Sequence, residues 1–192
     1  MTGRRLLLLV LAGLPVLVLS GAGGYAAYRA NASFRGWDTP VLVEIEPGTS
    51  SRAIAARLRE LGVLEREWPF TLLHYTPPGQ TLKAGEYHFD QALSPRQVIN
   101  KLRRGEVYQH SITVPEGYNL FEVAEAVAAS GLASRQDMWE AVRNPRLVAD
   151  LDPAAGNLEG YLFPDTYQFR RRTTAGEIVA AMVARFRQVY RQ

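Results

Sequence analysis

An uncharged apolar run from Leu6 to Tyr28, LLLLVLAGLPVLVLSGAGGYAAY, constrains this chain more than any other feature. At a helical rise of ~1.5 Å per residue it is long enough to cross a hydrocarbon core of ~30 Å. Pro15 is tolerated inside such a helix because neighbouring side chains or local distortion re-satisfy the freed carbonyl. Arg4 and Arg5 lie directly before the run, and positive flanks stay on the cytoplasmic side, so the N-terminus is expected in the cytoplasm and the bulk of the chain outside it. The competing reading is a cleavable signal peptide, with small residues around Ser20 and Ala22 as the cleavage site. Against cleavage, the apolar stretch continues past those residues, and Tyr25, Tyr28 and Arg29 form an interfacial anchor of the kind retained helices carry. Gly21, Gly23 and Gly24 could supply a helix-packing face, although small residues are common in membrane helices.

The remainder of a 192-residue chain leaves room for one ordinary domain or two small ones. Cysteine is absent, which removes thiolate chemistry, disulfides and Cys-based zinc sites. Arginine supplies 20 of the 22 basic residues, scattered rather than clustered, and the formal charge is only +3. A nucleic-acid partner would need a basic stripe or a recognisable module, and neither is visible.

Residues 29–40 lack periodicity and read as a linker. Val41, Val43 and Ile45 then alternate as in a strand, Pro47-Gly48-Thr49 supplies turn chemistry, and Ser50 or Ser51 caps a helix with Ile54, Ala55, Leu58 and Leu61 on one face. Gly62 is its stop. The same unit recurs 69 positions later: Ile112 and Val114 on a strand, Gly117 in the turn, Val123, Ala124 and Val127 on the helix, Gly131 at its end. Two βα pieces of this kind either pack separately or share one sheet, and convergence on a common βα turn would explain the likeness equally well. Between them Glu67 to Tyr75 is expected as a short helix, Gly85 to Phe89 as a strand, and Ser94-Pro95 opens a helix ending near Gly105. Further on, Ser134 caps a helix through Val142, Asn157 to Phe169 is mostly loop or extended, and Thr174 to Tyr190 is helical. Short strands and helices in alternation indicate an α+β fold.

The sequence contains no nucleophile elbow, phosphate loop, zinc-protease helix motif or dinucleotide-binding glycine pattern. His74, His88 and His110 have no metal-ligand spacing and read as surface or satisfied histidines, so neither a metal nor a cofactor is expected. The segment Asn157-Leu158-Glu159-Gly160-Tyr161-Leu162-Phe163-Pro164-Asp165-Thr166-Tyr167 is different. It sets a carboxylate among apolar and aromatic residues, beside a glycine that lets another backbone or a ligand come close. Such surroundings disfavour the anion and suit a proton donor, the acid that glycosidic cleavage needs. The ordinary alternative is a solvated loop Glu, with Asp165 a plain turn residue after Pro164.

N-L-E-G-Y-L-F-P-D-T-Y resembles the signature of the endolytic murein transglycosylases, the MltG or YceG-like family. Further pieces match in order: the apolar N-terminal helix, V-x-I-x-P-G-x-S opening a LysM-like subdomain, L-K-A-G-E-Y-H-F, and V-P-E-G-Y at the start of the catalytic domain. The resemblance implies a cytoplasmic head (1–5), a transmembrane helix (6–28), a linker (29–40), a LysM-like small α/β subdomain (41–108) and the N-terminal portion of a YceG-like catalytic domain (109–192). It implies that Glu159 is the catalytic acid/base cutting the β-1,4 MurNAc–GlcNAc bond of nascent peptidoglycan to leave 1,6-anhydro ends, thereby terminating strand elongation. Asn157, Tyr161, Asp165 and Tyr167 are implied as shaping or sugar-contacting residues. The implied partners are peptidoglycan glycan strands, the inner membrane, and peptidoglycan synthases or penicillin-binding proteins. Family members continue well beyond the helix at Glu177 to Tyr190, so a C-terminal truncation is expected. The alternative function is a membrane-anchored, non-catalytic peptidoglycan-binding or scaffold protein.

Overall fold

The computed structural model describes residues 3–76 and 80–190, with the side chains of residues 3–13 outside the description. The expected mixture of helices and short strands is present: α1 (Gly3–Asn31), β1 (Val41–Ile45), α2 (Ser51–Glu60), α3 (Glu67–Tyr75), β2 (Gly85–Phe89), α4 (Pro95–Arg104), β3 (His110–Thr113), α5 (Leu120–Ala129), α6 (Arg135–Val142), a 3-10 turn (Pro145–Leu147), β4 (Thr166–Phe169) and α7 (Ala175–Tyr190). These elements divide into two units, Met1–Val107 and Tyr108–Gln192.

In the first unit β1 pairs antiparallel with β2, Val41 opposite Phe89 and Ile45 opposite Gly85. Alternation puts Val43, Ile45, Tyr87 and Phe89 on the buried face, where they meet Ile54, Ala55 and Leu58 of α2, Phe70 of α3, and Val98, Ile99 and Leu102 of α4. The helix ends are fixed locally. The Ser50 hydroxyl accepts the Ala53 N–H, and Ser94 and Gln97 form a reciprocal capping box with Pro95 in the first turn of α4.

The second unit repeats this plan. β3 pairs antiparallel with β4, His110 opposite Phe169 and Thr113 opposite Thr166. The core joins Ile112 and Phe169 to Val123, Ala124 and Val127 of α5, Met138 and Val142 of α6, and Ile178, Val179 and Met182 of α7. Asn119 and Glu122 cap α5, and Thr174 and Glu177 exchange the equivalent bonds at α7. The two βα pieces therefore pack separately, each on its own sheet.

The repetition runs further than the first strand and helix. Ser50 and Asn119, 69 positions apart, are both N-caps. Gly48 and Gly117 adopt φ of +82° and +85°, and Gly62 and Gly131 +71° and +73°, left-handed conformations that disfavour a side chain. Beyond α6 the spacing becomes 80: Tyr87-His88-Phe89 matches Tyr167-Gln168-Phe169, and Val98-Ile99 matches Ile178-Val179. Even the hydroxyl bonds correspond, Tyr87 donating to the Lys83 carbonyl and Tyr167 to the Phe163 carbonyl, four residues upstream in each case. The order strand, helix, helix, strand, helix occurs twice.

Residues 29–40 are held against the first unit by specific bonds. Arg29 pairs with Glu65 at 2.5 Å, the Phe34 N–H donates to the Leu93 carbonyl (3.1 Å) and the Gly36 N–H to the Gly62 carbonyl (2.9 Å). A Cβ on Gly62 would lie 2.6 Å from the Gly36 oxygen, so this approach requires glycine. α1 passes through Pro15 without ending, and Leu14, Val16, Leu17, Val18 and Leu19 are exposed along it. Among the described residues no helix is long and apolar enough to cross a membrane; the span expected at Leu6–Tyr28 falls in part on side chains outside the description.

Phe70 is fully buried among α2, β2 and α4. Phe70→Ala is expected to destabilise the first unit by about 3–5 kcal/mol through lost burial and the cavity left behind, read from the urea midpoint.

Candidate functional site

The loop joining α6 to β4 carries the unusual segment, and its geometry starts from Leu158. This side chain is fully buried in the second core, and its N–H donates to the Val142 carbonyl at the end of α6 (3.0 Å). The Asn157 carboxamide oxygen accepts the Glu159 N–H (2.9 Å), and the Tyr161 N–H returns to the Leu158 carbonyl (3.0 Å), closing a tight turn. Gly160 completes that turn at φ +83°, with no protein atom within 4 Å of where a Cβ would stand. Its glycine is therefore explained by backbone conformation, with no neighbouring protein backbone against it.

Glu159, facing away from the plug that Leu158 forms, sends its carboxylate to the start of α5. Its Oε2 accepts the N–H of Leu120, the first residue of that helix, at 3.2 Å. The first-turn amides of a helix lack intrahelical acceptors and carry the positive end of its dipole, so they hold a carboxylate well. Capping of α5 is shared, since Asn119 Oδ1 takes the Glu122 N–H and Glu159 takes that of Leu120. Glu159 remains exposed, as does Asn157, so its surroundings here are more open than the apolar enclosure expected from the sequence.

The other residues implied by the signature are engaged within the protein. The Tyr161 hydroxyl donates to Asp152 Oδ2 (2.8 Å), and its ring meets Phe186 edge-on at 5.3 Å. The hydrogen bond to Asp152, with burial adding to it, raises the phenol above its ordinary range. Tyr167 is lifted to about 12, chiefly by burial, and is a neutral donor to the Phe163 carbonyl at any physiological pH. Asp165 accepts the Thr166 N–H (2.8 Å) and the Arg185 Nε (2.8 Å), and these bonds, in that order, hold its carboxyl below the usual range. The Asp165 carbonyl also accepts the Val114 N–H, extending the β3–β4 ladder. Thus Asn157 and Glu159 share one turn, while Tyr161, Asp165 and Tyr167 tie the rest of the segment to the 150s loop, to α7 and to itself.

Residues that the sequence did not single out lie on α5, whose first amide holds Glu159, and at α6. Phe121 follows Leu120 on α5 and is exposed, and it meets the exposed Trp139 of α6 edge-on at 6.3 Å. Arg143, next to Val142, places its guanidinium 5.9 Å from the Trp139 ring centre. A signal was available: Phe121, a large aromatic, occupies the place that Arg52 holds in the first copy of the repeat. Gly160, Leu162, Phe163 and Pro164 together with Phe186, Val189 and Tyr190 of α7 line an apolar groove of about 270 Å³ that reaches the residue after Glu159.

Residues 43–192 match the model of the YceG-like family. The chain belongs to that family. Among curated family relatives, it is 28% identical to an endolytic murein transglycosylase of Streptococcus pneumoniae, over 91% of this chain and 37% of that protein. It is likewise 28% identical to an endolytic murein transglycosylase of Bacillus subtilis, over 87% of this chain and 51% of that protein. The chain thus spans between about a third and a half of the curated relatives it matches. A crystal structure of a YceG-like protein from Listeria monocytogenes aligns with 79% of this chain and 55% of that one, at 25% identity and a TM-score of 0.40.

Because the Asp165 carboxyl is held low by Thr166 and Arg185, its contribution to stability is complete above the unfolded pKa of about 3.9 and lost as the pH falls through the lower folded value. Asp165→Asn should therefore melt below the wild type at neutral pH, with the difference closing below about pH 4. Thermal unfolding across an acid series checks this; a gap independent of pH would count against it.

Proposed function

We propose that the chain belongs to a lytic transglycosylase of peptidoglycan, in which Glu159 is the acid/base. The observation carrying this reading is the fixed Glu159 carboxylate: a buried neighbour, an Asn157-closed turn and the Leu120 amide set its position while leaving it open to a ligand. The family match and the names of the relatives supply the reaction class.

In this reading Glu159, protonated, gives its proton to the oxygen leaving C1 of N-acetylmuramic acid as the β-1,4 bond to N-acetylglucosamine breaks. The resulting carboxylate takes the proton of the muramoyl C6 hydroxyl as that oxygen closes on C1. Protons balance, water is not consumed, and the product carries a 1,6-anhydro end. One carboxyl group suffices, whereas hydrolysis ordinarily uses a pair. Asn157 shapes the turn, and Tyr161, Asp165 and Tyr167 hold the walls from which sugar contacts are made. Cleavage of nascent strands would terminate their elongation, and synthases that extrude those strands are the natural neighbours. A LysM-like role in glycan recognition is assigned to the first unit, and α1 is assigned to the inner membrane with Arg4 and Arg5 in the cytoplasm.

The second reading is a membrane-anchored scaffold that binds glycan without cutting it, favoured by the exposed position of Glu159, which no apolar wall encloses within the described residues. One experiment separates the two. Full chain incubated with uncrosslinked glycan strands should release anhydro-ended fragments, and Glu159→Gln should lower that release by at least about 100-fold with the melting temperature retained. Undiminished release from the variant removes Glu159 from the mechanism; strand binding without release by the wild type favours the scaffold reading for this chain.

A further inference from the structure

The first unit leaves much of one face of α3 exposed. Trp68, Leu72 and Tyr75 recur at helical spacing and are 38%, 47% and 62% exposed. With Arg52, Glu67 and Thr71 they line an open groove of about 520 Å³. On the opposite side of the same helix Phe70 is fully buried, so α3 is apolar on two faces and only one of them is used by the core.

What covers the second face is indicated by α1. The Trp68 ring stacks on Tyr25 of α1, with centroids 6.1 Å apart and planes inclined by 23°. From Leu6 to Tyr25 a helix rises roughly 28 Å, about the thickness of a hydrocarbon core. Tyr25 therefore stands at the level where a spanning α1 would leave the acyl chains, and the stack brings Trp68 to that level. Tyr28 is exposed nearby on the same helix. Tryptophan and tyrosine favour this boundary because their rings are apolar and their N–H or O–H groups reach water. Arg52 at the rim of the groove offers a cation to lipid phosphate.

We propose that the Trp68–Leu72–Tyr75 face of α3 is a second membrane contact, lying in the headgroup layer beside α1 and fixing the orientation of the first unit against the bilayer. The occupant is the lipid interface itself. This inference rests on the membrane placement of α1 proposed above and adds to it a seat formed by a folded element.

The chain has no cysteine, so Leu72→Cys can be labelled without background. The full chain carrying bimane at that position is reconstituted in phosphatidylethanolamine–phosphatidylglycerol vesicles, and its folding is checked by comparing its melt with wild type. The expected result is loss of most emission with lipids brominated near the headgroup end of the acyl chain, little loss with lipids brominated near the chain terminus, and shielding from aqueous iodide. A label quenched freely by iodide and untouched by either bromolipid, while α1 resists carbonate extraction, overturns the seat and leaves the anchor standing. Carbonate extraction of the whole chain overturns both. Should the labelled variant melt early, native Trp68 emission in Trp37→Phe/Trp139→Phe gives the same readout.

Discussion

A two-stranded antiparallel ribbon is not stable alone in water, and both halves of this chain are organised around covering one face of such a ribbon. In each, the second strand supplies a Tyr-x-Phe pair to the core, and helices on either side of it in sequence close over the apolar face. The tyrosine does more than fill space. Its hydroxyl holds the carbonyl four residues upstream, which shapes the chain as it enters the strand. Both bonds are half-buried, and a phenol reaches these carbonyls from within the strand that follows them.

The two halves differ where chemistry is proposed. In the first, the passage from α3 to β2 is short, Thr76 to Ala84; in the second, Arg143 to Asp165 separate α6 from β4. The additional chain contains Asn157, Glu159 and Gly160. A scaffold that is already stable can take up a longer loop at modest entropic cost, and function is commonly placed on such loops. Leu158 then limits the freedom of this one by returning its middle to the core. The exposed Phe121 and Trp139 also belong to the second half, on the helices whose ends receive the loop.

Much of this was legible in the sequence because it is local. Alternation marked Val41–Ile45, and Ser50, Ser94 and Ser134 announced helix starts through bonds to amides three residues on. The repeat was legible only through its first strand and helix, since the longer loop shifts the spacing from 69 to 80 and hides the match of Tyr87 to Tyr167. At the site, the residue type of Glu159 stood out, but its anchor did not: the partner is a backbone N–H of Leu120, and no side-chain identity reveals it. The roles of Tyr161 and Tyr167 were hidden for a related reason. A tyrosine that clamps a carboxylate or a carbonyl and one that stacks on a ligand look alike in sequence, and only the hydroxyl's partner tells them apart.

The bonds that Arg29, Phe34 and Gly36 make within the first unit leave little slack between α1 and the rest of that unit. A slack tether would let its cargo sample a hemisphere and would pass on no torque. Fastened this way, the first unit is carried like a head on a neck, so turning α1 about its axis turns the unit with it. Whatever grips the apolar helix from the side thereby acquires a handle on the direction in which the first unit faces.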